Sequence, residues 1–300
     1  MPAVSTGIAL VTGANGYVAV WAIKQLLEQG YSVRGTLRCM SKADHLRTIF
    51  HDFVNRLEFV VVEDFTKDDA FDEAVRGVDV IHHIASPFHL KAEEPSEIIA
   101  PAVSGTVSVL KSAQKYGDNL KRVVIVSSTA AVFELTGEPK TYNEGNWNDR
   151  AIYEVAVKGK DADQFSKYCA SKTIAERAAW AFYVNNKQSF SWDMVVINPP
   201  YVFGPILHEV KSISDLNTSL EHWYHFVLSG HADAETVVND GYISSSSILL
   251  KSLLTSVPNR NCWIDVRDLA NALVLATHTG DAGNQRIIVS AGPFKWRGLG

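Results

Sequence analysis

The stretch Ile8-Ala-Leu-Val-Thr-Gly-Ala-Asn-Gly-Tyr-Val-Ala19 joins a short apolar run to a longer segment with helical periodicity. Within it, Gly13, Gly16 and Ala19 have the GxxGxxA spacing of a turn between a strand and a helix. Gly13 permits a sharp turn, Gly16 lets backbone N–H groups approach a diphosphate, and Ala19 lets the helix pack closely on the strand. The N-terminus of that helix then faces the anion. The stretch therefore predicts a dinucleotide-binding βα unit.

Short apolar runs continue to alternate with helical segments over the first two thirds of the chain, and one more helix and one more strand are predicted near its end. The runs predicted as strands are Ile8–Val11, Tyr31–Gly35, Leu57–Val62, Val78–Ile84, Arg122–Val126, Met194–Asn198 and Arg286–Ser290. The segments predicted as helices are Tyr17–Glu28, Asp69–Val75, Pro95–Tyr116, Gln164–Asn185 and Val266–His278. Strands that are apolar throughout are typical of a parallel sheet covered on both faces. We predict an α/β fold with a Rossmann-type, doubly wound parallel sheet.

The residues after the second predicted strand indicate which dinucleotide binds. An acidic residue there would bind the ribose 2′-OH of NAD, whereas a basic residue accommodates the 2′-phosphate of NADP. No Asp or Glu occurs between Glu28 and Asp44, but Arg34, Arg38 and Lys42 do. A guanidinium can bind a phosphate through two N–H groups. This pattern favours NADP(H), with a merely solvated basic loop as the alternative.

The character of the sequence changes after Pro199-Pro200, where the alternation of strands and helices fades. We predict an NADP-binding Rossmann domain over residues 1–198 and a smaller substrate-binding lobe over residues 199–300. Such a lobe would cover the carboxyl edge of the sheet, where ligands of doubly wound folds bind. The late strand Arg286–Ser290 makes the two parts interleaved, so they need not be separable.

A Tyr-x-x-x-Lys pair, Tyr168-Cys-Ala-Ser-Lys172, begins a long predicted helix. A second pair, Tyr183-Val-Asn-Asn-Lys187, lies at the other end of that helix and is interpreted as packing and solvated surface. Residues four apart share one face of a helix. An ammonium close to a phenol favours the phenolate, so Lys172 is expected to tune Tyr168 as an acid for a carbonyl oxygen.

A strand end rich in hydroxyl groups, Val126-Ser-Ser-Thr129, precedes this pair by about forty residues. A hydroxyl at the end of a neighbouring strand can hold the oxygen that the phenol protonates. Ser128 is the predicted residue, and Ser127 and Thr129 remain alternatives. The sequence thus predicts a catalytic group of Ser128, Tyr168 and Lys172.

Composition limits the possible partners. The 28 basic and 33 acidic residues give a net charge of −5, which offers no general attraction for nucleic acid. No apolar run exceeds seven residues, too short to cross a membrane, and the N-terminus lacks the basic region of a secretory signal. The three cysteines form no CxxC motif, and the HxxH motif at His222 lacks further ligands. We expect a cytoplasmic enzyme for a small-molecule carbonyl substrate, a monomer or homodimer without a metal.

Together these motifs resemble the extended short-chain dehydrogenases/reductases. The resemblance is strongest to the dihydroflavonol reductase-like branch, which includes the fungal NADPH-dependent aldehyde/ketone (methylglyoxal-type) reductases. It extends from Ile8 to about Pro293. The matching stretches are Val11-Thr-Gly-Ala-Asn-Gly-Tyr-Val18, Val33-Arg-Gly-Thr-Leu-Arg38, Val78-Asp-Val-Ile-His-His-Ile-Ala-Ser-Pro-Phe88, Tyr168–Lys172, Asn198-Pro-Pro-Tyr-Val-Phe-Gly-Pro205 and Trp263-Ile-Asp-Val-Arg-Asp268. The resemblance implies NADPH-dependent reduction of aldehydes or ketones to alcohols.

The resemblance also implies roles for individual residues. Those resembling the diphosphate loop are Gly13, Asn15, Gly16, Tyr17 and Val18. Those resembling other cofactor contacts are Arg38, Lys42, Asp64, Phe65, Ala85, Ser86, Pro87, Tyr168, Lys172 and Pro199 through Val202. The walls of the substrate pocket would include Phe88, Phe133 and Tyr201, and Ser128, Tyr168 and Lys172 would be catalytic.

Two other functions and one departure from the family pattern remain. A nucleotide-sugar epimerase or dehydratase would share the Tyr/Lys pair but needs basic residues for a second diphosphate. Residues 201–250 contain only Lys211 as a lysine or arginine, which favours a small apolar substrate. A non-catalytic NADP-sensing protein is the other alternative. Family chains usually continue beyond the segment resembling Ser290–Phe294, so the C-terminal lobe is expected to be shortened or differently completed.

Overall fold

The computed structural model describes residues 4–86, 91–134, 140–224 and 261–294. In these ranges the strands are β1 (Ile8–Val11), β2 (Ser32–Leu37), β3 (Leu57–Val61), β4 (Val80–His83), β5 (Arg122–Val126), β6 (Asp193–Asn198), β7 (Tyr201–Phe203), β8 (Asn261–Asp265), β9 (Arg286–Ile288) and β10 (Gly292–Phe294). The α-helices are α1 (Tyr17–Glu28), α2 (Ala43–Ile49), α3 (Ser96–Tyr116), α4 (Asp149–Lys158), α5 (Gln164–Asn186), α6 (Thr218–Trp223) and α7 (Val266–His278).

Seven of these strands form one sheet in the order β3-β2-β1-β4-β5-β6-β9. Every neighbouring pair in it runs parallel. The chain reverses its direction of travel across the sheet between β1 and β4, and ligands of doubly wound sheets bind at the carboxyl ends beside such a reversal. The predicted Rossmann-type fold is confirmed.

Two apolar cores lie on opposite faces of the sheet. Successive side chains of a strand point to opposite faces, so Val124 joins the core under α1 and α7 while Val123 and Ile125 join the core under α3. Because both faces are covered, the strands are apolar throughout rather than alternating.

The smaller sheet has the order β10-β8-β7, with β8 parallel to β7 and antiparallel to β10. Residues beyond 199 also contribute β9 to the large sheet and α7, which packs against α1. No helix in the described ranges is long and apolar enough to cross a membrane.

One predicted helix is wrong, and three short helices were not predicted. Asp69–Val75 forms successive turns: the N–H of Asp72 bonds the carbonyl of Asp69, three residues back, instead of continuing an α-helix. The segment still buries its apolar residues Phe71 and Val75 in the core under α3. The unpredicted helices are α2, α4 and α6. Helix α4 is capped by Asn148, whose side chain accepts from the N–H of Ala151 at 3.0 Å.

The amino-terminal ends of β5 and β6 are joined by a buried ion pair. Arg122 donates to both carboxylate oxygens of Asp193, at 2.6 and 2.8 Å. Its guanidinium also donates to the carbonyls of Ala276 and Thr279 beside the end of α7. This pair lies at the end of the strands opposite to their carboxyl edge.

Candidate active site

The glycine turn after β1 is held in place by β2 and by the segment after β4. Gly13 has φ +66°, in the left-handed region, and its N–H donates to the hydroxyl of Thr36 at 3.1 Å. A Cβ at Gly13 would lie 3.1 Å from the Cβ of Ala85. The structure therefore brings Ala85 against the turn, and a side chain larger than hydrogen at position 13 would strain the backbone.

The N-terminus of α1 fits a bound diphosphate. No side chain caps Gly16, and the first turn of α1 holds no acidic residue. The first N–H groups of a helix lack partners within the helix and favour an anion. Asn15 and Gly16 are exposed and Val18 is half-buried beside them.

Tyr17 has a second partner that the sequence did not reveal. Its phenol donates to the carbonyl of Gly204 at 3.0 Å, and its ring lies 5.3 Å from that of His208. The side chain is buried and joins α1 to the segment after β7. Only the backbone of Tyr17 is thus placed to face a diphosphate.

The basic residues after β2 are exposed. Among the described residues, neither Arg38 nor Lys42 forms an ion pair. Hydrogen bonds from Thr66, with a smaller contribution from the charge of Arg38, lower the pKa of the Asp64 carboxyl. Lys211 chiefly, and Lys42 in addition, lower the pKa of Glu209. Arg38 therefore lies near Asp64, and Lys42 lies near the segment after β7.

Phe65, the residue after Asp64, packs against α3. A Cβ added at Gly105 of α3 would collide with its ring. This contact places Asp64 and Phe65 at the surface beside the carboxyl ends of β2 and β3.

Thr12 is a buried residue of the site that sequence reasoning missed. Its hydroxyl accepts from the N–H groups of Ile84 and Ala85, both at 3.0 Å. Because this oxygen already accepts two hydrogen bonds, the Thr12 hydroxyl donates its own proton to Nδ1 of His83, 3.1 Å from the hydroxyl oxygen. Burial chiefly, and the charge of Lys172, lower the pKa of His83 to about 3, so the ring is neutral. A polar residue directly before Gly13, at the end of an apolar strand, was the feature of the sequence that could have indicated this role.

Ser128, Tyr168 and Lys172 meet at the carboxyl edge of the sheet. The Tyr168 side chain forms a hydrogen bond with Ser128, and Nζ of Lys172 lies 5.9 Å from the centroid of the Tyr168 ring. Lys172 donates to the hydroxyl of Ser86 at 2.8 Å. Helix α5, which carries the tyrosine and the lysine, is capped by Asp163, whose side chain accepts from the N–H of Ser166 at 2.9 Å.

The residues on either side of Ser128 have different partners. Ser127 donates to Glu176 at 2.6 Å, inside the core and away from Tyr168. The backbone N–H of Thr129 donates to the carbonyl of Pro199 at 3.0 Å, which places Pro199 beside Ser128. Ser128 is therefore the one of these three residues that has a hydrogen bond to Tyr168 in the structure.

The pKa of Tyr168 differs from the expectation that Lys172 makes the phenol more acidic. Burial raises the pKa of Tyr168 above 10, and the hydrogen bond to Ser128 only partly opposes this shift. Burial also lowers the pKa of Lys172 to about 8, against the opposing charge of Glu176. The ammonium is directed at Ser86, and burial dominates the pKa of the phenol. In the chain alone, Tyr168 therefore stays protonated at neutral pH.

Aromatic side chains surround Tyr168. The ring of Phe165 lies 6.3 Å from that of Tyr168 and 6.4 Å from that of Phe133. Tyr201 adds to the upward shift of the Tyr168 pKa, which places it close by, and its own ring stacks on Phe203 at 5.9 Å. Phe133 and Tyr201 thus lie near Tyr168 at the carboxyl edge of the sheet.

Some predicted residues lie elsewhere or outside the described ranges. The side chain of Val202 is buried in the core under α1 and α7. Pro87, Phe88, His225 and His231 lie outside the described residues. Within the described ranges, no group of three His, Cys, Asp or Glu side chains is arranged to hold a metal ion.

This arrangement of a glycine turn, a parallel sheet and a Ser/Tyr/Lys group is that of a dinucleotide-dependent short-chain dehydrogenase/reductase. The chain belongs to the NAD dependent epimerase/dehydratase family, which it matches over residues 9–292. Within that family it lies in the extended short-chain dehydrogenase/reductase branch that its motifs predicted.

Several relatives within this branch are similar over nearly the whole chain. The NADPH-dependent methylglyoxal reductase GRE2 of Saccharomyces cerevisiae is 34% identical over 294 residues, covering 95% of this chain and 78% of the relative. The ketoreductase azaE of Aspergillus niger is 33% identical over 290 residues, with the same shares of 95% and 78%. The crystal structure of yeast methylglyoxal/isovaleraldehyde reductase Gre2 complexed with NADPH superposes with a TM-score of 0.73 at 32% identity, covering 94% of this chain and 78% of that one.

Proposed function

We propose that this protein is an NADPH-dependent carbonyl reductase that converts aldehydes or ketones into alcohols. The observation that carries the proposal is the partly buried Tyr168, whose phenol is hydrogen-bonded to Ser128, with the ammonium of Lys172 5.9 Å from its ring. The similarity to an NADPH-dependent methylglyoxal reductase and to a ketoreductase supports it.

The residues at the carboxyl edge fit NADPH, which supplies a hydride when it is bound. The uncapped N-terminus of α1, with the exposed Asn15 and Gly16, would bind the diphosphate. Arg38 and Lys42, which have no ion-pair partner among the described residues, would bind the 2′-phosphate. The remaining contacts would come from Asp64 and Phe65 near the adenine, from Ala85, Ser86, Tyr168 and Lys172 along the ribose, and from Pro199 and the backbone of Val202 beyond it.

In this proposal, Tyr168 is the proton donor. The protonated phenol and the hydroxyl of Ser128 donate hydrogen bonds to the carbonyl oxygen of the substrate. As the carbonyl carbon accepts the hydride, the phenol proton moves to the oxygen and the alcohol forms. The hydrogen bond from Ser128 and the ammonium of Lys172 then stabilise the phenolate that remains. Burial strengthens both interactions because little water screens them.

The aromatic neighbours of Tyr168 favour a small, mostly apolar substrate. Phe133 and Tyr201 would form two walls of the pocket, and Phe88, outside the described residues, is proposed as a third. Aromatic walls exclude water and offer no partner for a second diphosphate. This favours a carbonyl compound over a nucleotide sugar.

The test is NADPH oxidation with a panel of aldehydes, ketones and α-dicarbonyls, with UDP- and GDP-sugars tested in parallel. We expect NADPH to be consumed with members of the carbonyl panel and not with the sugars. Conversion of a nucleotide sugar without net NADPH consumption would assign the chain to the epimerases or dehydratases. Binding of NADPH with no turnover on any compound would favour a sensing protein.

We also propose a cytoplasmic location, a monomeric or homodimeric state, and a division of the chain into a cofactor domain (1–198) and a substrate lobe (199–300). The three cysteines support the location, since Cys39, Cys169 and Cys262 are all unpaired thiols. Fractionation of cells and size-exclusion chromatography with light scattering test the first two proposals.

A further inference from the structure

Glu176 is a fully buried carboxylate behind the candidate active site. Its side chain has 0% exposure. Oε2 accepts from the hydroxyl of Ser127 at 2.6 Å and from Nδ2 of Asn198 at 2.8 Å. Oε1 accepts from Nε of Arg286 at 2.5 Å. An unpaired buried carboxylate is strongly unfavourable, so these three donors together make its burial possible.

The donors come from three different strands of the large sheet. Ser127 follows β5, Asn198 ends β6, and Arg286 begins β9. The amide of Asn198 donates in addition to the carbonyl of Ser128 at 3.0 Å. Glu176 therefore fixes the backbone of Ser128 through Asn198 and Ser127. Among the described residues, Glu176 has no hydrogen bond to the Ser128 side chain.

Arg286 extends the network to the segment before α4. Its guanidinium donates to the carbonyls of Glu144 and Asn146, at 2.6 and 2.7 Å, and lies 3.6 Å from the centroid of the Trp147 ring. The next residue, Asn148, donates through its side chain to the carbonyl of Ala130 at 3.0 Å. The Glu176–Arg286 pair thus holds the segment that packs against the turn following Ser128.

Glu176 also lies one helical turn after Lys172. Its charge opposes the effect of burial, which lowers the pKa of Lys172 to about 8. The other groups that face Lys172 are Tyr168 on the same helix, the hydroxyl of Ser86, and His83 of β4. His83 is neutral and Tyr168 is protonated, so neither supplies a negative charge at neutral pH.

We infer that Glu176 is a positioning residue of this reductase: its carboxylate fixes the strand ends that carry Ser128 and provides the negative charge that keeps Lys172 an ammonium. The inference rests on the proposed function, because it assigns Lys172 its role in the reaction. It concerns a residue that touches neither substrate nor cofactor and acts through its neighbours.

The experiment measures the protonation of Lys172 directly, without substrate. Competitive acylation of the folded protein with acetic anhydride is followed across pH 6 to 10, and the peptide containing Lys172 is quantified by mass spectrometry. The variants are Glu176→Gln, which removes the charge, and Glu176→Asp, which keeps it. Asp193→Asn is the matched control, because Asp193 pairs with the buried Arg122 at the opposite ends of β5 and β6.

Without the carboxylate, burial acts on Lys172 unopposed, so the midpoint of its titration should fall by about one pH unit in Glu176→Gln. The midpoint should stay near the wild-type value in Glu176→Asp and Asp193→Asn, even though the melting temperature falls in both. An unchanged midpoint in Glu176→Gln, or an equal shift in Asp193→Asn, would overturn the inference.

Turnover provides the second readout and separates the two proposals. With a carbonyl substrate, kcat of Glu176→Gln should fall by about fivefold at pH 8, with a much smaller loss at pH 6.5, where most of Lys172 remains charged. Glu176→Asp should recover part of this loss. If wild-type protein reduces no carbonyl, the proposed function fails while the shift in the Lys172 midpoint still supports the electrostatic role. If it reduces carbonyls and the loss of kcat in Glu176→Gln does not depend on pH, the electrostatic role inferred for Glu176 is wrong.

Discussion

Lys172 donates a hydrogen bond to the hydroxyl of Ser86 at 2.8 Å, which ties the N-terminal part of α5 to the segment after β4. This contact holds the ammonium 5.9 Å from the ring of Tyr168 instead of directly on the phenol oxygen. The phenol therefore remains protonated and able to give up its proton, and the ammonium lies close enough to stabilise the phenolate formed afterwards.

Replacement of Tyr168 by Phe should lower kcat for every carbonyl substrate by about 10²–10⁴-fold, because the proton donor is lost. NADPH binding, measured by fluorescence titration, should remain intact. The control is Tyr183→Phe, which removes the hydroxyl of the second Tyr-x-x-x-Lys pair. Tyr183 packs against Trp180 and Trp192, and its replacement should leave kcat unchanged. Undiminished turnover in Tyr168→Phe would contradict the assignment.

Replacement of Ser128 by Ala should reduce kcat by about 10²-fold, since one donor to the carbonyl oxygen disappears. Ser127→Ala should act differently, because Ser127 donates to the buried Glu176. Its removal leaves that carboxylate with one donor fewer, so the free energy of unfolding should fall by about 1–3 kcal/mol with a smaller effect on kcat. Urea denaturation and steady-state kinetics distinguish the two variants. A larger loss of kcat in Ser127→Ala would reverse their assigned roles.

The pH dependence of kcat/KM should have a falling limb near pH 8. Burial lowers the pKa of Lys172 to about 8, and a lysine is charged below its pKa and neutral above it. Stabilisation of the phenolate by the ammonium is therefore present at pH 6–7 and lost as the pH rises through 8. The limb should appear in kcat/KM, which reports the free enzyme. A rate that increases through pH 8 would show that Lys172 does not act as a cation.

Replacement of Arg38 by Ala should weaken NADPH binding by about 10–100-fold while NADH binding changes little, since hydrogen bonds to charged groups contribute about 1.5–3 kcal/mol. Arg34→Ala, within β2 and four residues before Arg38, is the matched control. Arg34 already donates to Glu58 and to the carbonyl of Ala74, at 2.5 and 2.9 Å. Its loss should reduce stability and leave the ratio of NADPH to NADH affinities as it was. An unchanged ratio in Arg38→Ala would remove Arg38 from the phosphate site.

Local patterns determined much of this protein. The order of glycines after β1 and the uniformly apolar strands predict the Rossmann-type sheet, because turn geometry and strand burial depend on residues close in sequence. The pairing of Tyr168 with Lys172 follows from their spacing of four residues on a helix. The wrong helix at Asp69–Val75 has the same local character, but its apolar residues are accommodated by turns against the core.

Other properties depend on tertiary contacts between segments that lie far apart in the sequence. Tyr17 bonds Gly204 across 187 positions, and Glu176 collects donors from three strands, so no local spacing indicated either. Ser127 and Ser128 have different partners because successive side chains at the end of a strand point to opposite faces of the sheet. The pKa of Tyr168 is set by how much water its neighbours exclude, a property of packing that the identities of Tyr168 and Lys172 do not contain.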